Sequence, residues 1–350
     1  MNINSKIYIA GHNGMVGSAI KRNLESKGFS NIVTRSKKQL NLLSEESVAR
    51  FFAEEKPEYV VLAAAKVGGI VANNTYRAQF IYENLMIQNH VIHQSYLHGV
   101  KKLLFLGSSC IYPRMAEQPM HEDALLTGFL EATNEPYAIA KIAGIKMCEA
   151  YHAEHGCNFI SIMPTNLYGQ NDNYDLEKSH VLPALIRKMY LGKCLMENDW
   201  TKLRADLDKL PIEGVNGSCS DEVILNMLTK YGISSVNNEV SITLWGTGSP
   251  MREFLHVDDM ADSSVFLLMN YDAPDTTPSH VNAGCGEDLS IKDLSEIVRK
   301  TVGYTGKVIW DSTKPDGTPR KLMDVSKLKG LGWEPKISLE EGIRRVVDAY

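Results

Sequence analysis

Short apolar runs alternate with amphipathic stretches along the first half of the chain. The runs with the length and composition of buried strands are residues 7–10, 31–34, 59–65, 103–106 and 158–163. Between them, residues 18–24 and 84–98 carry apolar side chains at helical spacing. Apolar strands that alternate with helices are typical of a parallel sheet with helices on both faces. The pattern therefore predicts an α/β fold with a doubly wound parallel sheet.

The alternation weakens beyond residue 170. Residues 180–183 open a helical pattern that carries Arg187 and Lys188, and residues 240–245 have the character of a strand. Between these elements lies a polar segment, residues 197–240, which contains short helical patterns. This segment could be a lid, an oligomer contact or a disordered insertion, and its sequence does not decide among the three.

Composition narrows the class of protein. The chain has 350 residues and a net charge of −5, so it has no broad positive field to attract nucleic acid or an anionic membrane. No apolar run approaches the roughly 20 residues of a membrane span. The six cysteines show no C-x-x-C pairing and no metal-ligand spacing, which predicts reduced thiols and no metal. We expect a cytoplasmic protein without nucleic-acid or membrane partners.

A glycine-rich turn follows the first apolar run. Gly11, Gly14 and Gly17 have the spacing G-x-x-G-x-x-G, and a helical pattern begins directly after them. Glycines permit a tight turn and a close approach to the main chain, and the N-terminus of a helix attracts phosphate groups. The arrangement predicts a site for the pyrophosphate of a dinucleotide, although three glycines could also form a simple turn.

Basic residues follow the second predicted strand. An NAD site usually has an acidic residue there for the ribose 2′-hydroxyl, whereas this chain has Arg35 and Lys37. Basic side chains favour a 2′-phosphate and therefore NADP; the alternative is a solvated run of charges. Asn41 and Leu42 lie where a turn could contact the adenine. Small residues at 63–69 would let a cofactor lie against the main chain.

Tyr137 and Lys141 form the strongest candidate for chemistry. They are four residues apart behind Pro136, so a helix would place phenol and ammonium on one face, about 5–6 Å apart at Cβ. A neighbouring cation is expected to lower the tyrosine pKa from about 10 and to make it a usable acid or base. Alone, such a pair could be an ordinary surface contact. Ser108, which follows the strand at 103–106, could donate to the same substrate oxygen.

Longer motifs relate the chain to a known family. Those motifs are residues 11–20, 63–74, 106–113, 134–144, 164–169 and 250–259. Through them the chain resembles the extended short-chain dehydrogenase/reductases and, among these, the GDP-L-fucose synthase family. The resemblance implies a Rossmann domain at 1–169, completed by segments near 253–285. It also implies a smaller α/β substrate-binding domain over 170–350, with a longer insertion at about 197–240.

The family resemblance also implies an activity. Its members convert GDP-4-keto-6-deoxy-D-mannose to GDP-L-fucose by 3,5-epimerisation and then by reduction of the 4-ketone with NADPH. A 4-ketone acidifies the hydrogens on C3 and C5, and inversion needs an acid and a base on opposite faces. Cys110 and His180 can exchange protons near neutral pH. Their alternatives are a small buried hydrophobe for Cys110 and a helix-start histidine for His180.

The resemblance assigns roles to individual residues. Tyr137 would protonate the C4 oxygen, Lys141 would hold the nicotinamide ribose, and Ser108 would orient the carbonyl. The expected catalytic residues are Ser108, Cys110, Tyr137, Lys141 and His180. The expected NADP(H) contacts are Gly11, His12, Asn13, Gly14, Met15, Val16, Gly17, Arg35, Lys37, Asn41, Leu42, Ala64, Ala65, Leu106, Gly107, Ser109, Pro164, Thr165, Asn166, Leu167 and His180. The expected contacts of the GDP-sugar are Lys188, Trp245, Arg252, Asp316 and Lys321, with Asn166 beside them.

Some expectations go beyond this assignment. Arg252 is the expected anchor of the diphosphate, because its planar fork suits paired phosphate oxygens; a domain-bridging ion pair is its alternative. Asn13 and Lys37 stand where some relatives carry arginine, so NADP selection is expected to rest on Arg35 and Lys37 together. The family also implies a homodimer packed through helices of the Rossmann domain.

Two other functions are compatible with this fold. One is a UDP- or dTDP-sugar 4-epimerase that uses bound NAD without net redox change, against which the basic Arg35 and Lys37 and the thiol of Cys110 argue. The other is a non-catalytic NADP-binding regulator, against which the complete set of Ser108, Tyr137 and Lys141 argues. The order of the two epimerisations and the strictness of NADPH over NADH are not predicted.

Overall fold

The computed structural model describes residues 1–237 and 239–350. Its strands are β1 Ile7–Ala10, β2 Ile32–Thr34, β3 Tyr59–Leu62, β4 Lys102–Leu106, β5 Phe159–Pro164, β6 Asn166–Tyr168, β7 Ile233–Val236, β8 Glu239–Trp245, β9 Met251–Arg252, β10 Phe254–His256, β11 Val281–Ala283, β12 Leu289–Ser290, β13 Lys307–Asp311 and β14 Arg320–Lys321. Its α-helices are α1 Met15–Ser26, α2 Glu45–Glu55, α3 Ile70–Thr75, α4 Arg77–Leu97, α5 Glu135–His155, α6 Val181–Met196, α7 Trp200–Lys209, α8 Asp221–Lys230, α9 Val257–Asn270, α10 Ile291–Val302, α11 Ser326–Gly330 and α12 Leu339–Ala349. Two 3-10 helices cover Ser109–Ile111 and Glu122–Ala124.

The chain divides into two compact units. The first contains residues 1–171, 253–287 and 321–337, and the second contains residues 172–252, 288–320 and 338–350. The first unit thus includes a segment, residues 321–337, that the sequence places in the C-terminal domain. Lys321, an expected substrate contact, belongs to this segment.

The first unit is built on a six-stranded sheet. Its strand order is β11-β5-β4-β3-β1-β2, and every pairing is parallel. Successive side chains of β1 lie on opposite faces of the sheet. Tyr8 belongs to the apolar cluster on one face, and Ile7 and Ile9 belong to the cluster on the other. Because both faces of the sheet are covered, most side chains of its strands are apolar. The predicted α/β fold with a doubly wound parallel sheet is confirmed.

The strand order places a crevice beside β1. The chain proceeds from β1 to β2 on one side, while β3 pairs with β1 on the other. The chain therefore continues from β1 and from β3 toward opposite ends of the sheet, and both connections start at its carboxyl edge. Ligands of open α/β sheets bind at such a switch point. The glycine turn after β1 and the small residues after β3 both lie at this edge.

The second unit contains a smaller mixed sheet. In it β8 pairs with β7 antiparallel and with β13 parallel, and α6 packs on β8 and on α10. The segment at 197–240 contributes α7, α8 and β7, so a disordered insertion is not what the described residues form. Leu203 of α7 and Ile224 of α8 are fully buried, because each helix turns one apolar face inward.

A buried ion pair fastens this segment to α6. Nε and Nη2 of Arg187 lie 3.0 and 2.9 Å from one carboxylate oxygen of Asp206. The Tyr350 hydroxyl donates to the other oxygen at 2.5 Å, and Nη1 of Arg187 donates to the Tyr174 carbonyl at 3.1 Å. Both charged side chains are almost completely buried. A charge removed from water is costly unless it is paired, so the two residues fix how α7 sits on α6.

We expect Asp206→Ala to destabilise the protein strongly. The substitution leaves the Arg187 guanidinium buried without its carboxylate, which should lower the free energy of unfolding by about 3–5 kcal/mol. The control is Asp221→Ala, which removes the exposed partner of Arg204 and should cost less than about 1 kcal/mol. Urea denaturation followed by circular dichroism measures both. Equal losses would show that the buried pair has no special weight.

Candidate active site

The turn after β1 is in direct contact with the main chain after β3. Gly11 has a φ of +90°, and a Cβ built on it would lie 2.6 Å from the Ala64 nitrogen. A Cβ on Gly17 would lie 2.2 Å from the Gly11 carbonyl oxygen. Neither position has room for a side chain. The glycines are therefore required for the packing of the turn, and this packing places the N-terminus of α1 at the edge of the sheet.

That N-terminus can accept an anion. The N-cap residue Gly14 supplies no side-chain hydrogen bond, and the first turn of α1 contains no acidic residue. The main-chain N–H groups there carry a partial positive charge and need acceptors. Nδ1 of His12 is also buried without a hydrogen-bond partner within the described ranges. These features fit the pyrophosphate of a dinucleotide.

The two basic residues after β2 differ in their surroundings. The Arg35 guanidinium pairs with Glu55, donates to the Thr34 carbonyl at 2.8 Å and lies 5.6 Å from the centre of the Phe51 ring. Lys37 is exposed. A 2′-phosphate would therefore compete with Glu55 for Arg35, whereas it could approach Lys37 from solvent.

The turn after β2 also carries the residues expected near the adenine. Asn41 is exposed and its side-chain oxygen accepts from the Leu43 nitrogen at 3.1 Å. The Leu42 side chain packs against the apolar cluster that contains Tyr8, and its carbonyl lies 3.0 Å from Nδ1 of His90. Leu42 is thus held by the first unit, while Asn41 faces solvent.

The structure brings Tyr137 and Lys141 together on α5. Nζ of Lys141 lies 5.7 Å from the centre of the Tyr137 ring and donates to the Leu106 carbonyl at 2.7 Å. It also lies 4.8 Å from the Phe105 ring centre. The Tyr137 ring meets Phe80 edge to face, with centres 6.4 Å apart. Both predicted residues are therefore held at the carboxyl end of β4.

The predicted lowering of the Tyr137 pKa is wrong. Burial raises the pKa of Tyr137 well above its ordinary value, and burial lowers the pKa of Lys141 to about 8. Exclusion of water outweighs the attraction of the cation, because Nζ of Lys141 is bonded to the Leu106 carbonyl and not to the phenol. Tyr137 consequently keeps its proton at neutral pH, which is the form that can donate to a carbonyl oxygen.

Cys110 lies on the turn that follows β4. The 3-10 helix Ser109–Ile111 packs against α5, and the Ser108 hydroxyl accepts from the Cys110 nitrogen at 3.4 Å. Burial raises the pKa of the Cys110 thiol; its hydrogen bond with Ser108 and the charges of Lys321 and Lys141 act in the opposite direction. The thiol, the phenol and the ammonium are thus close enough to influence one another electrostatically.

Glu253 is a buried residue that the sequence analysis missed. Its side chain has no exposure, and its carboxylate accepts from the Gly286 nitrogen at 2.7 Å and from the Met323 nitrogen at 3.1 Å. Its carbonyl accepts from the Asn166 side chain at 2.8 Å. A carboxylate inside the apolar run that continues through β10 was the available signal. Glu253 fixes the main chain on which Asn166 and Lys321 are placed.

The second unit brings Trp245, Arg252 and Asp316 together. A Cβ on Gly246 would lie 2.3 Å from Oδ1 of Asp316, and one on Gly317 would lie 3.0 Å from Nη2 of Arg252. Trp245 is 72% exposed, which is unusual for an indole unless it meets a ligand or partner. Burial lowers the pKa of Arg252, and within the described residues the guanidinium makes no ion pair.

His180 and Lys188 both belong to the region of α6. His180 is the N-cap residue of α6. Partial desolvation of its ring lowers its pKa, while part of the residue remains exposed. Burial lowers the pKa of Lys188 to about 8. No ion pair of Lys188 is found in the part of the chain that the structure describes. A half-buried cation without a carboxylate is suited to an anionic ligand. Over the same residues, no group of side chains could hold a metal ion.

Known proteins resemble the chain over nearly its whole length. A family model described as the NAD dependent epimerase/dehydratase family matches residues 7–208 and 215–284. Putative GDP-L-fucose synthase 2 of Arabidopsis thaliana is 54% identical over 99% of this chain and 92% of that protein. GDP-L-fucose synthase of Escherichia coli (strain K12) is 48% identical over 97% of this chain and 94% of that protein.

A solved structure extends the comparison. The crystal structure of a GDP-6-OMe-4-keto-L-xylo-heptose reductase from C. jejuni is 44% identical, covers 100% of this chain and 98% of that one, and has a TM-score of 0.91. The family match and the identities lead to the same assignment. The chain belongs to the NAD dependent epimerase/dehydratase family and, within it, to the group that contains the GDP-L-fucose synthases.

Proposed function

We propose that the protein is an NADPH-dependent enzyme that converts GDP-4-keto-6-deoxy-D-mannose to GDP-L-fucose. The observation that carries the proposal is the buried thiol of Cys110 beside the Tyr137 and Lys141 pair, in a chain about half identical to named GDP-L-fucose synthases. Reduction of the 4-ketone alone would need only Tyr137 and Lys141. A proton-exchanging residue next to this pair is what inversion at C3 and C5 requires.

The reduction step uses Tyr137 as the acid. Burial keeps the phenol protonated, so it can donate to the C4 oxygen as hydride from NADPH reaches C4. Ser108 orients the carbonyl as a second donor. Lys141, fixed by its bond to the Leu106 carbonyl, stabilises the negative charge that remains on Tyr137 and holds the nicotinamide ribose.

The epimerisation step uses Cys110 and His180. Removal of the hydrogen from C3 or C5 leaves an enolate that the 4-ketone stabilises, and return of a proton to the opposite face inverts the centre. One residue takes the proton while the other returns one.

The residues of the second unit bind the GDP moiety in this proposal. Lys188 and Arg252 are cations without carboxylate partners in the described residues, and they suit the diphosphate. Trp245 offers an exposed ring for stacking. Asp316 is the proposed contact of the nucleoside, and its two oxygens also accept from the nitrogen and the hydroxyl of Thr247. In the first unit, Lys321 is the proposed contact of the sugar, because its charge acts on Cys110.

NADP(H) is the cofactor. The close-packed turn of Gly11 and Gly17, the N-terminus of α1 without an acidic residue in its first turn, and Nδ1 of His12, which has no partner in the described residues, support a pyrophosphate there. Lys37, with Arg35, provides the charge for a 2′-phosphate. The other proposed contacts of the cofactor are Asn13, Met15, Val16, Asn41, Leu42, Ala64, Ala65, Leu106, Gly107, Ser109, Pro164, Thr165, Asn166, Leu167 and His180.

Gly17→Ala should abolish tight NADPH binding. The added methyl group would lie 2.2 Å from the Gly11 carbonyl oxygen and would force the phosphate-binding turn away from α1. A loss of about a hundredfold in affinity or more is expected, measured by NADPH fluorescence. The control is Gly330→Ala in α11, where nothing lies within 4 Å of the new Cβ and affinity should be unchanged. Normal NADPH affinity of Gly17→Ala would contradict the proposal that the turn of Gly11 and Gly17 binds the pyrophosphate.

A related reductase activity is the second candidate. The heptose reductase from C. jejuni is 44% identical over the whole chain, and reduction of a keto-heptose would need only the Tyr137 and Lys141 pair. The two functions differ in the substituent at C6 and in the need for inversion at C3 and C5. A direct comparison of substrates separates them.

The central experiment follows NADPH absorbance with GDP-4-keto-6-deoxy-mannose, a GDP-4-keto-heptose and a UDP-sugar analogue, with NADH as a second control. Rapid loss with NADPH and the 6-deoxy sugar, yielding GDP-L-fucose, is expected. Preference for the heptose would favour the second candidate. Activity with neither GDP-sugar, together with tightly bound NAD in the purified protein, would favour a 4-epimerase.

Two substitutions separate the steps. Cys110→Ser should lose most of the deuterium that enters C3 and C5 from D2O, while it keeps NADPH affinity. Tyr137→Phe should keep that exchange and lose about 10²–10⁴-fold in reduction rate. Unchanged exchange in Cys110→Ser would remove the thiol from the mechanism, and nearly normal reduction by Tyr137→Phe would remove the phenol.

We also propose that the protein is a homodimer joined through α4 and α5. These helices pack on one another, and Tyr82, Met86, His93 and Leu97 form a stripe on α4. Tyr82 and Leu97 are more than half exposed. An apolar stripe outside the core supports a partner surface. Ile139 of α5 is also exposed, and a second copy of the same helix pair could cover these side chains.

Tyr82→Glu should shift the protein toward monomers, because a second copy would bury the new charge at the two-fold interface. Sedimentation velocity over a range of concentrations measures the change. Met115→Glu, a substitution at a position that is 85% exposed in the loop after Pro113, is the control and should not alter assembly. A wild-type monomer, or no response to Tyr82→Glu, would contradict the proposed interface.

A cytoplasmic location is proposed as well. All six cysteines are free thiols, which suits a reducing compartment. Among the described residues, none of the helices is both long and apolar enough to span a membrane. Recovery of the protein from a membrane or secreted fraction would contradict the proposed location.

A further inference from the structure

A buried hydrogen-bond network holds one end of the turn that carries Cys110. The Tyr112 hydroxyl lies 2.9 Å from Nε2 of His280 and donates to Oδ1 of Asn282 at 2.5 Å. All three side chains are buried. We propose that this network positions the Cys110 thiol and thereby sets the rate of epimerisation independently of reduction. The inference rests on the function proposed above for Cys110.

The turn has one anchor at each end. At its start, the Ser108 hydroxyl accepts from the Cys110 nitrogen at 3.4 Å. At its end, the Tyr112 nitrogen donates to the Ser109 carbonyl at 3.5 Å, and the Tyr112 side chain continues into the buried network. The long main-chain bond closes the turn only weakly. The side chains of Ser108 and Tyr112 therefore determine where the thiol stands.

The network has one consistent arrangement of hydrogens. Because the Tyr112 hydroxyl donates to Asn282, it accepts from Nε2–H of His280, and Nδ1 of His280 then carries no proton. Nδ1 is in fact buried without a partner in the described part of the chain. Burial, together with the charge of Lys327, lowers the pKa of His280 to about 4. The network is uncharged at neutral pH.

Asn282 connects the network to the sheet and to a second segment. It lies in β11, which pairs with β5. Its side-chain nitrogen donates to the Met120 carbonyl at 3.0 Å and to the Asp324 carbonyl at 3.1 Å, and its main-chain nitrogen donates to Glu122 at 3.0 Å. The segment that ends at Asp324 carries Lys321, whose charge offsets part of the rise in the Cys110 pKa that burial causes. Asn282 thus supports both the turn that carries the Cys110 thiol and the segment that carries the Lys321 ammonium.

The Cys110 turn packs against α5, but the side-chain contacts that hold Tyr137 and Lys141 on this helix differ from those of the network. Tyr137 and Lys141 belong to α5, and Lys141 is bonded to the Leu106 carbonyl, ahead of the turn. Tyr137 packs on Phe80 of α4. None of these contacts involves Tyr112 or His280. Loss of the Tyr112 hydroxyl should therefore displace Cys110 and leave hydride transfer intact.

The test removes the Tyr112 hydroxyl and measures the two steps separately. Tyr112→Phe keeps the ring and deletes the bonds to His280 and Asn282. Deuterium entry at C3 and C5 of the 4-keto sugar reports epimerisation. Oxidation of GDP-L-fucose by NADP⁺ reports hydride transfer without inversion. We expect exchange to fall about tenfold or more, since small misplacements of a catalytic group have large effects. Hydride transfer should stay within about twofold.

A matched control is Tyr271→Phe. The Tyr271 hydroxyl donates to the Ser279 carbonyl at 3.1 Å, next to His280, but it does not contact the Cys110 turn. This variant should alter neither rate. All rates are divided by the folded fraction from circular dichroism. Should Tyr112→Phe fold poorly, His280→Gln and His280→Leu replace it: glutamine can still donate to Tyr112 and should keep exchange, whereas leucine should lose it.

The outcomes separate this inference from the function on which it rests. A proportional fall of both rates in Tyr112→Phe, or no fall in either, would overturn the positioning role. If Cys110→Ser loses exchange while Tyr112→Phe and His280→Leu keep it, only the positioning role fails. If Cys110→Ser itself exchanges normally, the proposed role of the thiol fails and this inference fails with it.

Discussion

The close main-chain contact between Gly11 and Ala64 is the constraint on which the cofactor half of the site depends. It brings the loops after β1 and β3 within van der Waals distance and leaves no volume for a side chain at Gly11 or Gly17. Because α1 starts immediately afterwards, the same contact fixes the direction of its partial positive charge. Both loops follow strands of a sheet that is buried on its two faces. The packing of this sheet fixes the position of the carboxyl edge from which the loops start.

Burial controls the chemistry beyond that edge. It keeps Tyr137 protonated, raises the pKa of Cys110 and reduces the affinity of Lys141 for its proton. Reduction of a ketone needs a proton donor. Exclusion of water keeps the Tyr137 phenol in the protonated form that can serve as this donor. The attraction between charged groups therefore changes these pKa values less than desolvation does.

The sequence predicted the sheet and the pairing of Tyr137 with Lys141, because both follow from local spacing. It did not predict the direction of the Tyr137 pKa shift, which depends on how much water the fold excludes. It also missed Glu253 and the bonds of Tyr112 with His280, since these partners are distant along the chain and meet only after folding. Arg35 had the right charge, but Glu55, which pairs with it, was not foreseen.

The ion pair of Arg187 with Asp206 has a consequence for the evolution of chain length. It ties α7 to α6 just before the point where the matched family segments are interrupted, between residues 208 and 215. Beyond Asp206 the loop is anchored by Glu213, whose carboxylate accepts from Lys230 and Tyr231, whereas a Cβ added to the exposed Gly214 would meet nothing within 4 Å. Residues added at Gly214 would therefore change the outline of the surface there and leave these anchors in place. The same loop is therefore the natural place to graft a peptide tag or a fluorescent reporter.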